Sequence, residues 1–279
     1  MAIILALCSA LTYGLSDFAG GFVSRRTSAW AVAVVGQTSS VVCTAVAALF
    51  VAGSPVPLDF GWAVLAGLGG GMGCGFLYRG FRTGRMGVVA PVSAVGSALV
   101  PVVAGALGGE RPGLLAWIGI AVAMPAIWLV SSTPSTEQTE GGPVSAGLLD
   151  GVLAGIGFGL LFACLGQIPA SAGLWPLTVT QLVSVPAVIG LATVLRAQWV
   201  PREPVVRWAA LTGPLGATAT LTFLLATQHG YLTVSGVLAS LYPASTVLLA
   251  VLVLREHVHR AQALGLALCA VTVALVAAG

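Results

Sequence analysis

One acidic residue, Asp17, lies well inside a long apolar stretch near the start of the chain. If that stretch spans a membrane, a carboxylate there is costly unless it faces a protein interior, a partner or a water-filled cavity. In such a place Asp17 could bind and release a proton, or pair with a cationic substrate. A second interpretation puts Asp17 near the membrane interface, paired with Arg25 or Arg26. The sequence leaves both interpretations open.

Other side chains combine a hydrogen-bonding group or an aromatic ring with a position in or beside an apolar stretch. Amides in such places either hydrogen-bond between helices or line a cavity. For any single residue of this kind, packing or interface anchoring is the simpler interpretation. The residues that we expect to line a substrate cavity are Tyr13, Asp17, Gln37, Tyr78, Ser93, Ser97, Phe158, Gln181 and Tyr242.

Two acids, Glu110 and Glu256, end two matching apolar stretches, and each lies beside an arginine. An acid at such a place can accept hydrogen bonds from the exposed amides of a neighbouring helix, or pair with an arginine of the turn. We therefore expect a structural role for both at helix ends.

No motif indicates an enzyme, a metal site or a cofactor. The sequence contains no zinc-protease, nucleophile-elbow or phosphate-loop pattern and no close pair of acids. His257 and His259 would need more ligands than Glu256 supplies to hold a metal. The five cysteines lie in apolar runs without a CxxC pair, which is typical of small core residues. We expect no catalytic residue, no metal and no cofactor.

The composition excludes a water-soluble protein. Of the 279 residues, 58% are hydrophobic and 7% are charged, whereas a water-facing surface needs roughly 25–35% charged residues. The chain must therefore be solvated by membrane lipid. Its net charge of +3 is too small and too scattered to suggest a nucleic-acid partner.

Proline, glycine, arginine and acidic clusters divide the sequence into ten apolar runs. Each has about the 20 residues that a helix needs to cross a bilayer, and none shows the alternation of a membrane barrel strand. These ten predicted spans cover residues 2–22, 30–52, 60–82, 87–107, 113–132, 147–167, 174–195, 205–228, 233–254 and 261–278. The sequence therefore predicts an all-α membrane protein with ten transmembrane helices.

The two halves of the chain match each other. Residues 62–130 pair without a gap with residues 208–276, and the polar linker 133–146 separates a first repeat, 1–132, from a second, 147–279. Matching positions, here called repeat partners, are 145 residues apart in the first two helices of each half and 146 apart in the others. Five helices per repeat make the second copy enter the membrane from the opposite side, which predicts an inverted repeat.

Small residues four positions apart form a stripe along three predicted helices. Such stripes let helix backbones approach closely in lipid, or leave room for a substrate or for bending. The stripes are Ala6, Ala10 and Gly14 in the first span, Gly67, Gly71 and Gly75 in the third, and Gly151, Gly155 and Gly159 in the sixth.

Prolines lie in the middle of the matched fourth and ninth spans, at Pro91, Pro101 and Pro243. Broken helices at corresponding places in two repeats point to the substrate site of a transporter, although proline is also common in membrane helices generally. We therefore expect both spans to be interrupted, with Ser240 among the lining residues.

Ten of the eleven arginines fall on the same side of the ten-helix arrangement, and only Arg111 falls on the other. Because positive charge accumulates in cytoplasmic loops, this distribution predicts that both termini lie outside the cytoplasm.

The five-plus-five layout, the pairs Tyr13-Gly14 and Phe158-Gly159, and the separation from Tyr242-Pro243 to Glu256 resemble the EamA type of the drug/metabolite transporter superfamily. The fourth span departs from the pattern, with Ser97 where the ninth has proline. The resemblance implies a small-molecule carrier of the bacterial inner membrane, often an exporter, that works by alternating access. It also implies cytoplasmic termini, against the arginine distribution, and orientation stays open.

The sequence thus favours a secondary transporter that exports a small metabolite or drug through a cavity lined by spans 1, 3, 4, 6, 8 and 9. The alternative is a membrane scaffold or a flippase-like assembly partner that does not transport. The polarity of the expected lining suggests a small amphipathic or weakly cationic substrate. The sequence leaves open whether the protein is a monomer or a dimer.

Overall fold

The computed structural model of the protein describes residues 1–82, 86–131, 144–254 and 259–279. Within these ranges the chain forms eleven α-helices and two 3-10 segments, and no β-strand. The helices are α1 (Ala2–Ser24), α2 (Ala29–Ala48), α3 (Pro57–Arg82), α4 (Met86–Leu107), α5 (Leu114–Ser131), α6 (Val144–Leu165), α7 (Trp175–Val194), α8 (Thr212–Gln228), α9 (Leu232–Ala239), α10 (Tyr242–Leu254) and α11 (Arg260–Ala278); the 3-10 segments are Ala170–Ala172 and Pro204–Leu211.

Ten stretches in the described part of the chain are long and apolar enough to cross a membrane. They coincide with the ten predicted spans, so the prediction of an all-α, multi-pass membrane protein is confirmed. Helices α1 to α7 form the first seven spans, the 3-10 segment Pro204–Leu211 and α8 together form the eighth, α9 and α10 together form the ninth, and α11 is the tenth. Residues 132–143, which include most of the predicted linker, and Glu256 and His257 lie outside the described residues.

The ninth span is broken and the fourth is not. Helix α9 ends at Ala239, and α10 begins at Tyr242, so that Pro243 lies in the first turn of α10, where its missing N–H has no helical partner to lose. In contrast, α4 continues through both Pro91 and Pro101, and the predicted interruption of the fourth span is wrong. Neighbouring helices α6 and α9 pack against α4 and support it despite the hydrogen bonds that the prolines remove.

The two halves interlock. Helix α6 of the second half packs against α3 and α4 of the first, just as α1 packs against α8 and the α9–α10 pair. Helix α3 packs against α7 as α8 packs against α2, while α2 contacts α7 and α5 contacts α11. Each of these pairs is reproduced when the two halves are exchanged, as a twofold relation between the repeats requires.

The small-residue stripes lie in helix contacts. A Cβ added to Gly155 of α6 would lie 3.0 Å from the Cα of Gly96 in α4. In the other half, a Cβ on Gly14 of α1 would lie 2.6 Å from the Cβ of Ser245 in α10. Both separations are too short for a side chain, so glycine lets these backbones approach closely.

Glycines on two sides of helix α3 lie in close contact with neighbouring helices. Added Cβ atoms on Gly67 and Gly71 would meet backbone carbonyl oxygens of α7, and one on Gly69 would lie 2.6 Å from the carbonyl oxygen of Gly157 in α6. The helix is therefore held between α6 and α7 largely by its backbone.

One ion pair joins the halves within the described residues. Near the end of α3, Nε of Arg79 lies 2.9 Å from Oδ1 of Asp150, near the start of α6. The side chain of Asp150 is 5% exposed, and the Arg79 guanidinium lies 4.6 Å from the ring centroid of Phe76. The repeat partners of Arg79 and Asp150 are Leu225 and Leu5, so the pair has no counterpart in the other half of the structure.

We expect Asp150→Asn to destabilise the protein by about 2–4 kcal/mol, because it leaves the Arg79 guanidinium without its buried counter-charge. Thermal unfolding of the purified protein in detergent measures the loss. The double variant Arg79→Leu/Asp150→Leu, which copies the leucines of the other half, should recover most of the stability. If the Asp150→Asn protein unfolds at the same temperature as the wild type, the ion pair contributes nothing to stability.

Candidate functional site

A cavity lies between the two halves, with about 700 Å³ of empty space that includes space open to solvent. It is lined by α1, α2 and α3 of the first half and by α6, α7, α8 and α10 of the second. Several lining residues are repeat partners of one another: Tyr13 and Phe158, Asp17 and Phe162, Gly70 and Gly216, and Cys74 and Thr220. The cavity therefore lies where the two repeats meet.

Most of the residues predicted for the cavity are found in its lining, but the set of helices differs from the expectation. Spans two and seven contribute residues, whereas span four does not. The predicted residues that line the cavity are Tyr13, Asp17, Gln37, Tyr78, Phe158, Gln181 and Tyr242.

Ser93 and Ser97 of α4 were expected in the lining and lie behind it. Each donates a hydrogen bond to a carbonyl of its own helix, so its oxygen is left to accept one from the neighbouring helix. The Tyr242 hydroxyl lies 3.3 Å from Oγ of Ser93, and Oγ of Ser240 lies 3.0 Å from Oγ of Ser97. These buried bonds tie α4 to the break between α9 and α10, and they orient the Tyr242 side chain that lines the cavity.

Asp17 lies in the cavity lining and is 9% exposed. It forms no ion pair and no hydrogen bond through its side chain with any residue in the described ranges. The guanidinium of Arg26 instead lies 4.4 Å from the ring centroid of Phe22. The interfacial pairing with Arg25 or Arg26, considered from the sequence, is therefore not present in the described structure.

The electrostatics of the cavity depend on this one acid. Among the described lining residues there is no arginine, lysine or histidine. The other ionisable side chains that face the cavity are Tyr13, Cys74, Tyr78 and Tyr242, which are ordinarily neutral near pH 7. A carboxylate here therefore has no compensating positive charge among the described residues that line the cavity.

An aromatic cluster lies beside the acid. The ring centroids of Tyr13 and Phe162 are 5.6 Å apart in an edge-on arrangement, and those of Phe162 and Phe223 are 4.5 Å apart. Tyr13 also lies 6.4 Å from Tyr242. These spacings are typical of favourable aromatic pairs. Sequence reasoning did not select Phe162 or Phe223 as site residues, although Phe162 could have been found as the repeat partner of Asp17.

The polar groups of the lining divide into paired and unpaired ones. Nε2 of Gln181 donates to Oγ1 of Thr220 at 3.0 Å, which joins α7 to α8. The hydroxyls of Tyr13 and Ser40 are buried and have no hydrogen-bond partner in the described structure. Because an unpaired buried hydroxyl is costly, these groups are suited to bind a polar molecule that enters the cavity.

The helix-end acid Glu110 contacts the start of α9. Its carboxylate oxygens accept hydrogen bonds from the backbone N–H of Leu232 at 2.6 Å and of Thr233 at 2.9 Å. The sequence left two arrangements open for Glu110, and the structure shows the one in which it accepts hydrogen bonds from a neighbouring helix. At the start of α9 its negative charge also complements the helix dipole.

In the described part of the chain, no group of three or more histidine, cysteine or acidic side chains is placed to hold a metal.

Comparisons with known proteins agree with this architecture. A match to the EamA-like transporter family covers residues 1–132 and 145–278. A known crystal structure with 16% sequence identity superposes with a TM-score of 0.74 over 98% of this chain and 95% of the other, which shows a shared fold. No curated protein matches. Because the family match covers nearly the whole of a ten-span chain, the protein belongs to the EamA-like transporter family.

Proposed function

We propose that the protein is a secondary transporter that exports a small metabolite or drug across the bacterial inner membrane by alternating access. The observation that carries this proposal is the cavity between the halves, lined by repeat partners and containing an acid that has no ion-pair partner among the described residues. A scaffold that only packs has no need of such a cavity, since buried polar groups without partners weaken a fold.

The arrangement of the halves supports alternating access. Five spans in each half give the two repeats opposite directions across the membrane, and the main helix contacts are reproduced when the halves are exchanged. Two such halves can adopt each other's conformation, so that the cavity opens first to one face of the membrane and then to the other. In this change, each main helix contact would take the arrangement of the equivalent contact in the other half, so that no main contact is lost.

Asp17 is our candidate for coupling transport to an ion gradient. A carboxylate in a cavity without a protein cation is stabilised either by a proton or by a cationic substrate. If the two compete for Asp17, export of the substrate is exchanged for entry of a proton. The sequence contains no nucleotide-binding pattern that would supply energy from ATP.

Single cysteines at the repeat partners Gly70 and Gly216 should react with a membrane-impermeant maleimide from either face of the membrane. An added Cβ at these positions would lie no closer than 3.6 Å and 4.0 Å to its neighbours, so both substitutions fit. The measurement uses inside-out and right-side-out vesicles and a background in which the five native cysteines are replaced. Alternating access predicts labelling of each site in both preparations.

Ala123→Cys is the matched control, because Ala123 is 0% exposed in α5 and does not line the cavity. It should remain unlabelled in both preparations. Labelling of Gly70→Cys and Gly216→Cys from one face alone, or from neither, would contradict alternating access and favour the scaffold.

A further inference from the structure

We propose that the substrate of this cavity is an organic monocation, with a primary or secondary ammonium group joined to an apolar, ring-bearing body. The ammonium binds at Asp17, and the body lies against the rings of Tyr13 and Phe162, which line the cavity. This inference rests on the proposed transport function, since it names the substrate class of the same cavity.

The charge of the cavity selects a cation. A buried carboxylate needs a counter-charge, and no arginine, lysine or histidine occurs among the described residues of the lining. A substrate with a carboxylate or phosphate group would be repelled by Asp17 and would meet no positive side chain in the described part of the lining. An ammonium group supplies the counter-charge that this part of the lining lacks.

The spacing along α1 sets the distance between the charge and the ring. Tyr13 precedes Asp17 by four residues, so both side chains lie on one face of the helix, about 6 Å apart along its axis. The Tyr13 ring is in edge-on contact with Phe162, which packs against Phe223. An ammonium and an aromatic ring that are joined by two carbons can therefore reach both parts of the site.

The unpaired hydroxyls favour an ammonium that carries N–H groups. The Tyr13 and Ser40 hydroxyls line the cavity and have no partner in the described structure. Their oxygens can accept hydrogen bonds from an ammonium that is also bonded to Asp17, and charge-assisted bonds of this kind are the stronger ones. A quaternary ammonium has no N–H and cannot use them.

The repeat gives the bound molecule a direction. Asp17 and Phe162 are repeat partners, so in an inverted repeat they lie in opposite halves of the membrane. Asp17 then lies towards one face of the membrane and the Phe162 ring towards the other, and an amphipathic cation fits between them in one orientation.

Three probes test this inference by calorimetric titration of the purified full-length protein. They are 2-phenylethylammonium, butylammonium, which lacks the ring, and 3-phenylpropionate, which has the ring and a negative charge. We expect 2-phenylethylammonium to bind, butylammonium to bind about tenfold more weakly because it loses its ring contacts, and 3-phenylpropionate not to bind. Equal binding of the phenylpropionate and the phenylethylammonium would overturn the inference on wild-type protein alone.

Matched variants assign the two parts of the site. Asp17→Asn should weaken 2-phenylethylammonium about tenfold or more, Asp17→Glu should retain binding, and Asp59→Asn should bind like the wild type because Asp59 lies outside the cavity lining, where its carboxylate accepts the N–H of Val56 at 2.8 Å. Phe162→Leu should weaken 2-phenylethylammonium but not butylammonium, whereas Phe50→Leu, at a side chain 84% exposed, should change neither.

Unchanged 2-phenylethylammonium affinity in a folded Asp17→Asn protein would overturn the assignment. The cysteine labelling separates this result from a failure of the transport function. Absent cation binding with labelling from both faces would refute the substrate class and leave the transporter. Labelling from a single face would refute the transporter itself.

Discussion

Asp17→Asn should abolish the pH dependence of transport while the protein still folds. Asparagine has nearly the shape of aspartate but cannot bind and release a proton, and the other ionisable side chains that face the cavity are Tyr13, Cys74, Tyr78 and Tyr242. The measurement is substrate flux in proteoliposomes with an imposed pH gradient of either sign. We expect the flux driven by the gradient to fall at least about tenfold, since Asp17 supplies the carboxyl group among the described lining residues.

The control for this experiment is Asp59→Asn, which removes an acid outside the cavity lining. Asparagine at position 59 can still accept the hydrogen bond from the backbone N–H of Val56, so both folding and pH dependence should persist. Coupling that remains unchanged in Asp17→Asn would remove the proposed role from Asp17.

Gly155→Leu should prevent the recovery of folded protein. In the contact between α6 and α4, an added Cβ at Gly155 would lie 3.0 Å from both the Cα of Gly96 and the backbone oxygen of Ser93. The rest of a leucine side chain cannot fit unless the two helices separate. Because helix association in lipid depends on such close packing, we expect a loss of about 3 kcal/mol or more. Fluorescence-detected size exclusion and thermal unfolding measure it.

Gly190→Leu provides the matched control. Gly190 lies within α7, and a Cβ added there meets nothing within 4 Å, so a leucine should extend away from the protein and leave folding intact. A well-folded Gly155→Leu protein with the wild-type unfolding temperature would show that α4 and α6 tolerate a wider separation.

The sequence predicted the membrane fold because the physical rule behind it is local. A run of about 20 apolar residues must form its backbone hydrogen bonds internally, so it becomes a helix across the bilayer. The stripe at Gly151, Gly155 and Gly159 was similarly readable, because residues four apart lie on one helix face. These predictions needed no knowledge of which helix packs against which.

Other features of the structure depend on tertiary contacts and could not be predicted from local sequence patterns. Asp150 lies close to the start of its span, and nothing in the sequence identifies Arg79 as its partner across the two halves. Ser93 and Ser97 are polar residues on a predicted cavity helix, but their contacts with Tyr242 and Ser240 place them behind the lining. Which side of α4 faces the cavity depends on the rotation of the helix about its axis, and the positions of the prolines do not indicate that rotation.

If the two halves exchange conformations as proposed, the ion pair between Arg79 and Asp150 has an energetic consequence. In a perfectly symmetric carrier the two end states would have equal free energies and equal populations. In the proposed exchange, the Arg79–Asp150 pair of one state would correspond to Leu225 and Leu5, its repeat partners, in the other, and the two free energies would then differ. A difference of about 1.4 kcal/mol already changes the population ratio tenfold. On the proposed mechanism, the empty protein would therefore favour one of its two conformations.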